Sequence, residues 1–110
     1  MHKMMVLARA SEGKKAELAR WYDERHIPDL LAVPGFISAE RHDAVPIKAP
    51  DGLPNWDFLL IYEFEGDPMT ALRNMGNVMG SEKMPRSDAL DSTYTLSVVG
   101  ISQGRRTAEV

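Results

Sequence analysis

The sequence predicts a single α+β domain whose chain runs β-α-β-β-α-β, and three observations carry that prediction. Two stretches with helical periodicity alternate with short apolar runs, so elements of the two types interleave. One of those runs, Trp56 to Phe64, is apolar on both faces through its middle, as in a strand covered on both sides. Chain breakers fall between the runs: Pro28, Pro34-Gly35, the group Pro46, Pro50, Asp51-Gly52 and Pro54, and Asp67-Pro68.

Met4 to Ala10 is short and apolar and stops at Ser11-Glu12-Gly13, which predicts the first strand. Lys14 to about His26 predicts a helix, with Leu18, Trp21 and Tyr22 on one side and Lys15, Arg20 and Glu24 elsewhere. Pro28 has no amide hydrogen and biases Ile27 away from helical angles, so the helix ends or kinks there. Pro28 can also open a short further turn through Leu31. Phe36 to Asp43 alternates and predicts the second strand. Phe36, Ser38, Glu40 and His42 share one face, Ile37, Ala39 and Arg41 the other, and the pattern leaves open which face points inward. Ala44 to Asn55 holds too many breakers for anything but a long loop. Trp56 to Phe64 is the third strand, placed centrally in the sheet.

Asp67-Pro68 caps and opens a second helix, which carries Met69, Leu72, Met75 and Met79 and frays near Gly76 or Gly80. Gly80 to Asp91 reads as a loop with room for one helical turn at Asp88. Ser92 to Ser102, rich in Thr, Val and Tyr, is the fourth strand. Residues 1–104 thus form one domain, and 105–110 a polar C-terminal tail. This order is the ferredoxin-like motif, a four-stranded antiparallel sheet with helices on one face. The other face carries more apolar surface than water tolerates, which predicts a homodimer with two such sheets closed into a dimeric α+β barrel.

Composition narrows the function classes. Thirteen Lys and Arg against 16 Asp and Glu give a formal net charge of -3, which argues against a nucleic-acid partner. With no cysteine, disulfides, thiolate metal sites and a cysteine nucleophile are excluded. The three histidines have no metal-ligand spacing, so no metal is expected. No phosphate loop or dinucleotide fingerprint is present, so no cofactor is expected either. The apolar runs are too short for a membrane span, and the N-terminus reads as a strand and not a signal peptide. A cytoplasmic location is the resulting expectation.

The most informative stretch is Trp21-Tyr22-Asp23-Glu24-Arg25-His26-Ile27-Pro28, followed by Pro34-Gly35-Phe36. Tyr22 and His26, four apart, are stacked neighbours on a helix, and His26 falls at the border of the buried face. A half-desolvated but reachable imidazole suits proton transfer near neutral pH. The alternative is a structural histidine whose pKa is raised by the helix C-terminus. Asp23 could orient the ring or be a surface carboxylate, and Trp21 and Tyr22 could contact a ligand or fill the core. Ser87 and Asp88 lie in a loop that would overhang the pocket, or they cap one helical turn. His42 would reach the pocket only if its strand face were the inner one.

The spacing Trp-Tyr-x-x-x-His-x-Pro, with Pro-Gly a few residues on, resembles the EthD-like group of the dimeric α+β barrel superfamily. The resemblance implies a pocket between the first helix and the sheet, with His26 in acid-base catalysis; Tyr22 beside it is the expected catalytic hydrogen-bonding group. Position along the chain makes Trp21, Asp23, His42, Ser87 and Asp88 the candidate substrate contacts. The expected function is a cofactor-independent isomerase, cyclase, dehydratase or lyase acting on an apolar aromatic or polyketide-like molecule. The alternatives are a non-catalytic dimeric binding protein and a cofactor-free monooxygenase.

Overall fold

In a computed structural model, which describes residues 1–109, the alternating pattern of β3 (Phe58–Phe64) organises the fold. Phe58, Leu60, Tyr62 and Phe64 point to one side of the sheet, and all four are buried. β1 (His2–Ala8) runs antiparallel beside it and sets Met4 opposite Tyr62, Val6 opposite Leu60 and Ala8 opposite Phe58. Each large apolar side chain buried here stabilises the fold by about 1.5–3 kcal/mol, so these two strands carry much of the core. β2 (Phe36–Asp43) pairs with β3, and β4 (Leu96–Gly100) pairs with β1, both antiparallel. The strand order is β2-β3-β1-β4. With two helices laid on one face, this is the ferredoxin-like arrangement.

The first helix is longer than its breakers suggest. It runs as α1 (Lys15–Trp21), a π-helical turn (Tyr22–His26) and α2 (Ile27–Leu31) without leaving helical dihedrals. Pro28 has no amide hydrogen for the Glu24 carbonyl, and its ring crowds that carbonyl. The chain accommodates this by widening the turn before the proline: the Ile27 amide donates to the Tyr22 carbonyl, five residues back. Leu18, Tyr22 and Leu30 are the residues this helix buries.

The second helix, α3 (Pro68–Val78), starts as its sequence dictates, with the Asp67 carboxylate accepting from the Thr70 amide at 2.9 Å. Its methionines are less buried than their spacing suggests. Ala71 is the residue the helix buries, Leu72, Met75 and Val78 are half-buried, and Met69 and Met79 are exposed. Ala71 also meets Gly35, where an added Cβ would lie 3.2 Å from the Ala71 Cβ. Gly35 has φ +99°, so the turn needs glycine for its backbone as well as for this close approach.

A β-bulge in β2 changes which residues share a face. The pairing slips between Phe36 and Ser38, so Phe36, Ala39 and Arg41 lie toward the helices while Ser38, Glu40 and His42 lie on the open face. Strict alternation had grouped Phe36 with Ser38, Glu40 and His42, and one extra residue separates them. β4 is shorter than the Thr- and Val-rich run suggests, because residues 91–95 turn over the sheet end, with the Thr95 hydroxyl donating to the Asp91 carbonyl at 2.8 Å.

The open face presents Met5, Leu7, Leu59, Ile61, Leu96 and Val98. Part of it is roofed by the loop after β2. Val45, Pro46, Lys48, Ala49 and Trp56 enclose a hollow of about 450 Å³ with Leu7, His42, Leu59 and Ile61. Trp56 anchors that loop, its Nε1 donating to the Tyr94 carbonyl at 2.6 Å. Among the described residues, no helix is long and apolar enough to cross a membrane.

Candidate functional site

On the helix side, a cavity of about 370 Å³ lies between the first helix, the sheet and the segment after α3. Its floor is Met4, Val6 and Tyr62, and its helical wall is Trp21, Tyr22 and His26. Met75 and Met79 close one end, and Pro85, Arg86, Ser87 and Leu90 form the outer rim. Ser92, Thr95 and Ser97 complete the lining on the β4 side.

The π-helical turn gives the helical wall its shape. In a regular α-helix, residues five apart project about 140° from one another, so Trp21 and His26 would point to different sides. Here their rings stack, with centroids 4.4 Å apart and planes 18° from parallel. Tyr22 meets His26 edge-on at 5.5 Å and 76°. The wider turn therefore gathers three rings onto one face, which helical periodicity alone would not do.

Burial sets the electrostatics. His26 is held well below its ordinary pKa of 6.5, at about 4, because desolvation disfavours the imidazolium; the Asp29 carboxylate opposes this only in part. The imidazole is therefore uncharged at neutral pH. The helix continues through Leu31, so His26 is not at a helix C-terminus, and a dipole-raised pKa is overturned. The Tyr22 and Tyr62 hydroxyls are pushed up by burial and stay protonated. Three buried polar atoms of lining residues have no hydrogen-bond partner: Trp21 Nε1, His26 Nδ1 and Tyr62 Oη. Leaving such an atom unpaired costs about 1–3 kcal/mol, so three on residues of one cavity single it out within the fold.

The residues singled out from the sequence separate into two groups. Trp21, Tyr22, His26 and Ser87 meet around the cavity. Ser87 also keeps its turn role, its Oγ accepting from the Ala89 amide at 3.1 Å. Asp23 does not orient His26. Both its oxygens accept from the Arg41 guanidinium at 2.8 Å, and that hydrogen bonding holds its carboxyl below the usual range. Asp88 points away, its carboxylate 3.3 Å from Lys14 Nζ. His42 lies on the opposite sheet face, moved there by the bulge, and lines the other hollow.

Sequence reasoning missed Tyr62, Arg86 and Asp29. Tyr62 was concealed within the apolar alternation of β3, although it is the polar residue among Phe58, Leu60 and Phe64. Among the described residues, no group of three or more His, Asp or Glu side chains is placed to hold a metal ion.

No family model matches this chain, and no curated protein matches it in sequence. The fold has solved counterparts. An EthD family protein from Bacillus halodurans superposes with a TM-score of 0.52 at 12% identity, covering 94% of this chain and 100% of that one. A monooxygenase from the gene ActVA-Orf6 of Streptomyces coelicolor, in complex with nanaomycin D, superposes with a TM-score of 0.56 at 13% identity. That match covers 98% of this chain and 91% of the other. At such identities the likeness is one of fold.

Proposed function

We propose that this protein transfers protons, without a redox cofactor, on an apolar aromatic or polyketide-like small molecule that bears a carbonyl or phenolic oxygen. The observation that carries this reading is that Trp21, His26 and Tyr62, whose Nε1, Nδ1 and Oη are unpartnered, line one largely apolar cavity. Neutral His26 is free to accept a proton from an acidic C–H or O–H of the bound molecule. The Tyr62 hydroxyl and the Trp21 indole N–H are donors for the substrate oxygen that gains negative charge. The imidazolium and the enolate or phenolate then form together in a poorly solvated site, and their attraction restores part of the basicity that burial removes. Returning the proton to another atom isomerises the substrate, and loss of a leaving group from the enolate eliminates it.

A thermal-shift screen against phenolic and polyketide-like compounds supplies a ligand by linkage. Deuterium exchange into that ligand, followed by NMR, then measures turnover. His26→Gln should slow exchange by roughly two to four orders of magnitude while leaving affinity nearly unchanged. Binding without exchange in the unaltered protein would replace the catalytic reading with a binding protein. The likeness in fold to the Streptomyces coelicolor monooxygenase favours a second reading, in which the same carbanion is captured by dioxygen. Oxygen uptake on adding the ligand separates the two.

A further inference from the structure

We infer that the molecule bound in this cavity carries an anionic group, of carboxylate type, seated on Arg86. This rests on the cavity being a ligand site, as proposed above, and extends it to the charge of the ligand. Arg86 stands at the rim, and no acidic side chain lines the cavity. Among the described residues Arg86 makes no ion pair, whereas Arg9 and Arg25 are each paired with an aspartate. Arg9 lies 3.4 Å from Asp91, and Arg25 lies 2.8 Å from Asp29 while its other nitrogen donates to the Glu82 carbonyl at 2.6 Å.

Arg86 is exposed and packs along the Gly80 backbone. Gly80 has φ +78°, and a Cβ there would come within 3.0 Å of Arg86 Nε and 3.4 Å of Cζ and Nη2, so the guanidinium rests against a bare α-carbon. The segment beneath it is pinned by fully buried Met84, whose carbonyl accepts from the Gly80 amide at 2.8 Å. A guanidinium beside an apolar cavity, with its planar donor fork unused, matches a carboxylate better than a neutral carbonyl. The ligand thus lies with its reactive oxygen near His26 and Tyr62 and its anionic end at the rim.

The test uses 2-naphthoate and 2-naphthamide, which share size and ring but differ in charge. Binding is followed by calorimetry, and the His26 and Trp21 NMR signals report where each probe sits. The unaltered protein should prefer naphthoate by roughly tenfold in low salt, with the preference shrinking as salt screens the rim. Arg86→Gln should abolish the preference and leave naphthamide affinity unchanged, and Arg86→Lys should restore part of it. Equal affinity of the unaltered protein for both probes, with His26 and Trp21 shifted by each, would overturn the inference and leave the cavity as a ligand site. A preference that survives Arg86→Gln would overturn the assignment to Arg86. If neither probe moves His26 or Trp21, the cavity reading fails and the inference fails with it.

Discussion

Acid should destabilise this protein through His26 before it affects most carboxylates. In the unfolded chain the imidazole titrates near its ordinary 6.5, whereas in the folded chain burial holds it at about 4. Between those values the unfolded state binds a proton that the folded state refuses, so stability falls as pH falls. The full stabilisation is present above about pH 6.5, and the loss is complete below about pH 4. At 1.36 kcal/mol per pH unit the gap amounts to about 3 kcal/mol, an upper figure because the ring is only half-buried. About 2.5 kcal/mol of it should be lost between pH 7.5 and 4.5.

Urea denaturation of the unaltered protein and of His26→Gln across that range isolates the effect, because contributions from other groups cancel in the difference. Asp23 and Asp67 also sit below the usual carboxylate range, held by Arg41 and Thr70 respectively, and they are common to both proteins. On going from pH 7.5 to 4.5 the stability difference should move by about 2.5 kcal/mol in favour of the glutamine variant. Imidazole nitrogen shifts should place the folded-state inflection near pH 4. An inflection near 6.5, or a stability difference that is flat with pH, would refute the assignment of a desolvated, neutral His26.

Two further outcomes are expected. The apolar open face, with Val98 and Leu96 each about half exposed and Met5 and Ile61 beside them, should be covered by a second copy of the chain. Sedimentation should give twice 12.3 kDa, and Val98→Lys should dissociate the pair; a stable, folded monomer of the unaltered protein would exclude the dimer. Pro28→Ala restores an amide hydrogen and removes the crowding at the Glu24 carbonyl, so the π-helical turn should relax to regular helix. His26 ring protons should then lose the ring-current shift imposed by Trp21, with helix content unchanged by circular dichroism; an unaltered shift would mean that the proline does not set the turn.

Most of the fold was legible because its signals are local. Period-two alternation marks β3, the Asp67-Pro68 cap marks α3, and Pro34-Gly35 marks the turn into β2. What escaped the sequence depends on single-residue departures from those periods. The bulge in β2 inserts one residue and sends His42 to the other face, a change that no alternation pattern records. The π-helical turn adds one residue to a helical turn and brings Trp21 over His26. Pro28 signalled a disturbance there but not its kind. Asp23 and Arg41 are 18 residues apart on different elements, so their pairing awaited the packing of helix on sheet.

The cavity itself follows from side-chain size. Where β4 and the loop before it face Trp21 and Tyr62, the chain places Ser87, Ser92, Thr95 and Ser97, all small and hydroxylated. Leucine or phenylalanine at such positions would have completed the core. A sealed, empty void of about 370 Å³ would cost about 9 kcal/mol at 24 cal/mol per Å³, as much as the whole stability of many domains. The hydroxyl-lined side avoids that cost by keeping the cavity open to water at the β4 edge, where Ser92 and Ser97 are exposed. The apolar floor of Met4 and Val6 and the ring wall of Trp21, Tyr22 and His26 thus enclose a space that is reached from that edge. Serine-to-valine changes at positions 92 and 97 would make that edge narrower and less polar without filling the cavity, because each adds one heavy atom to a space of about 370 Å³.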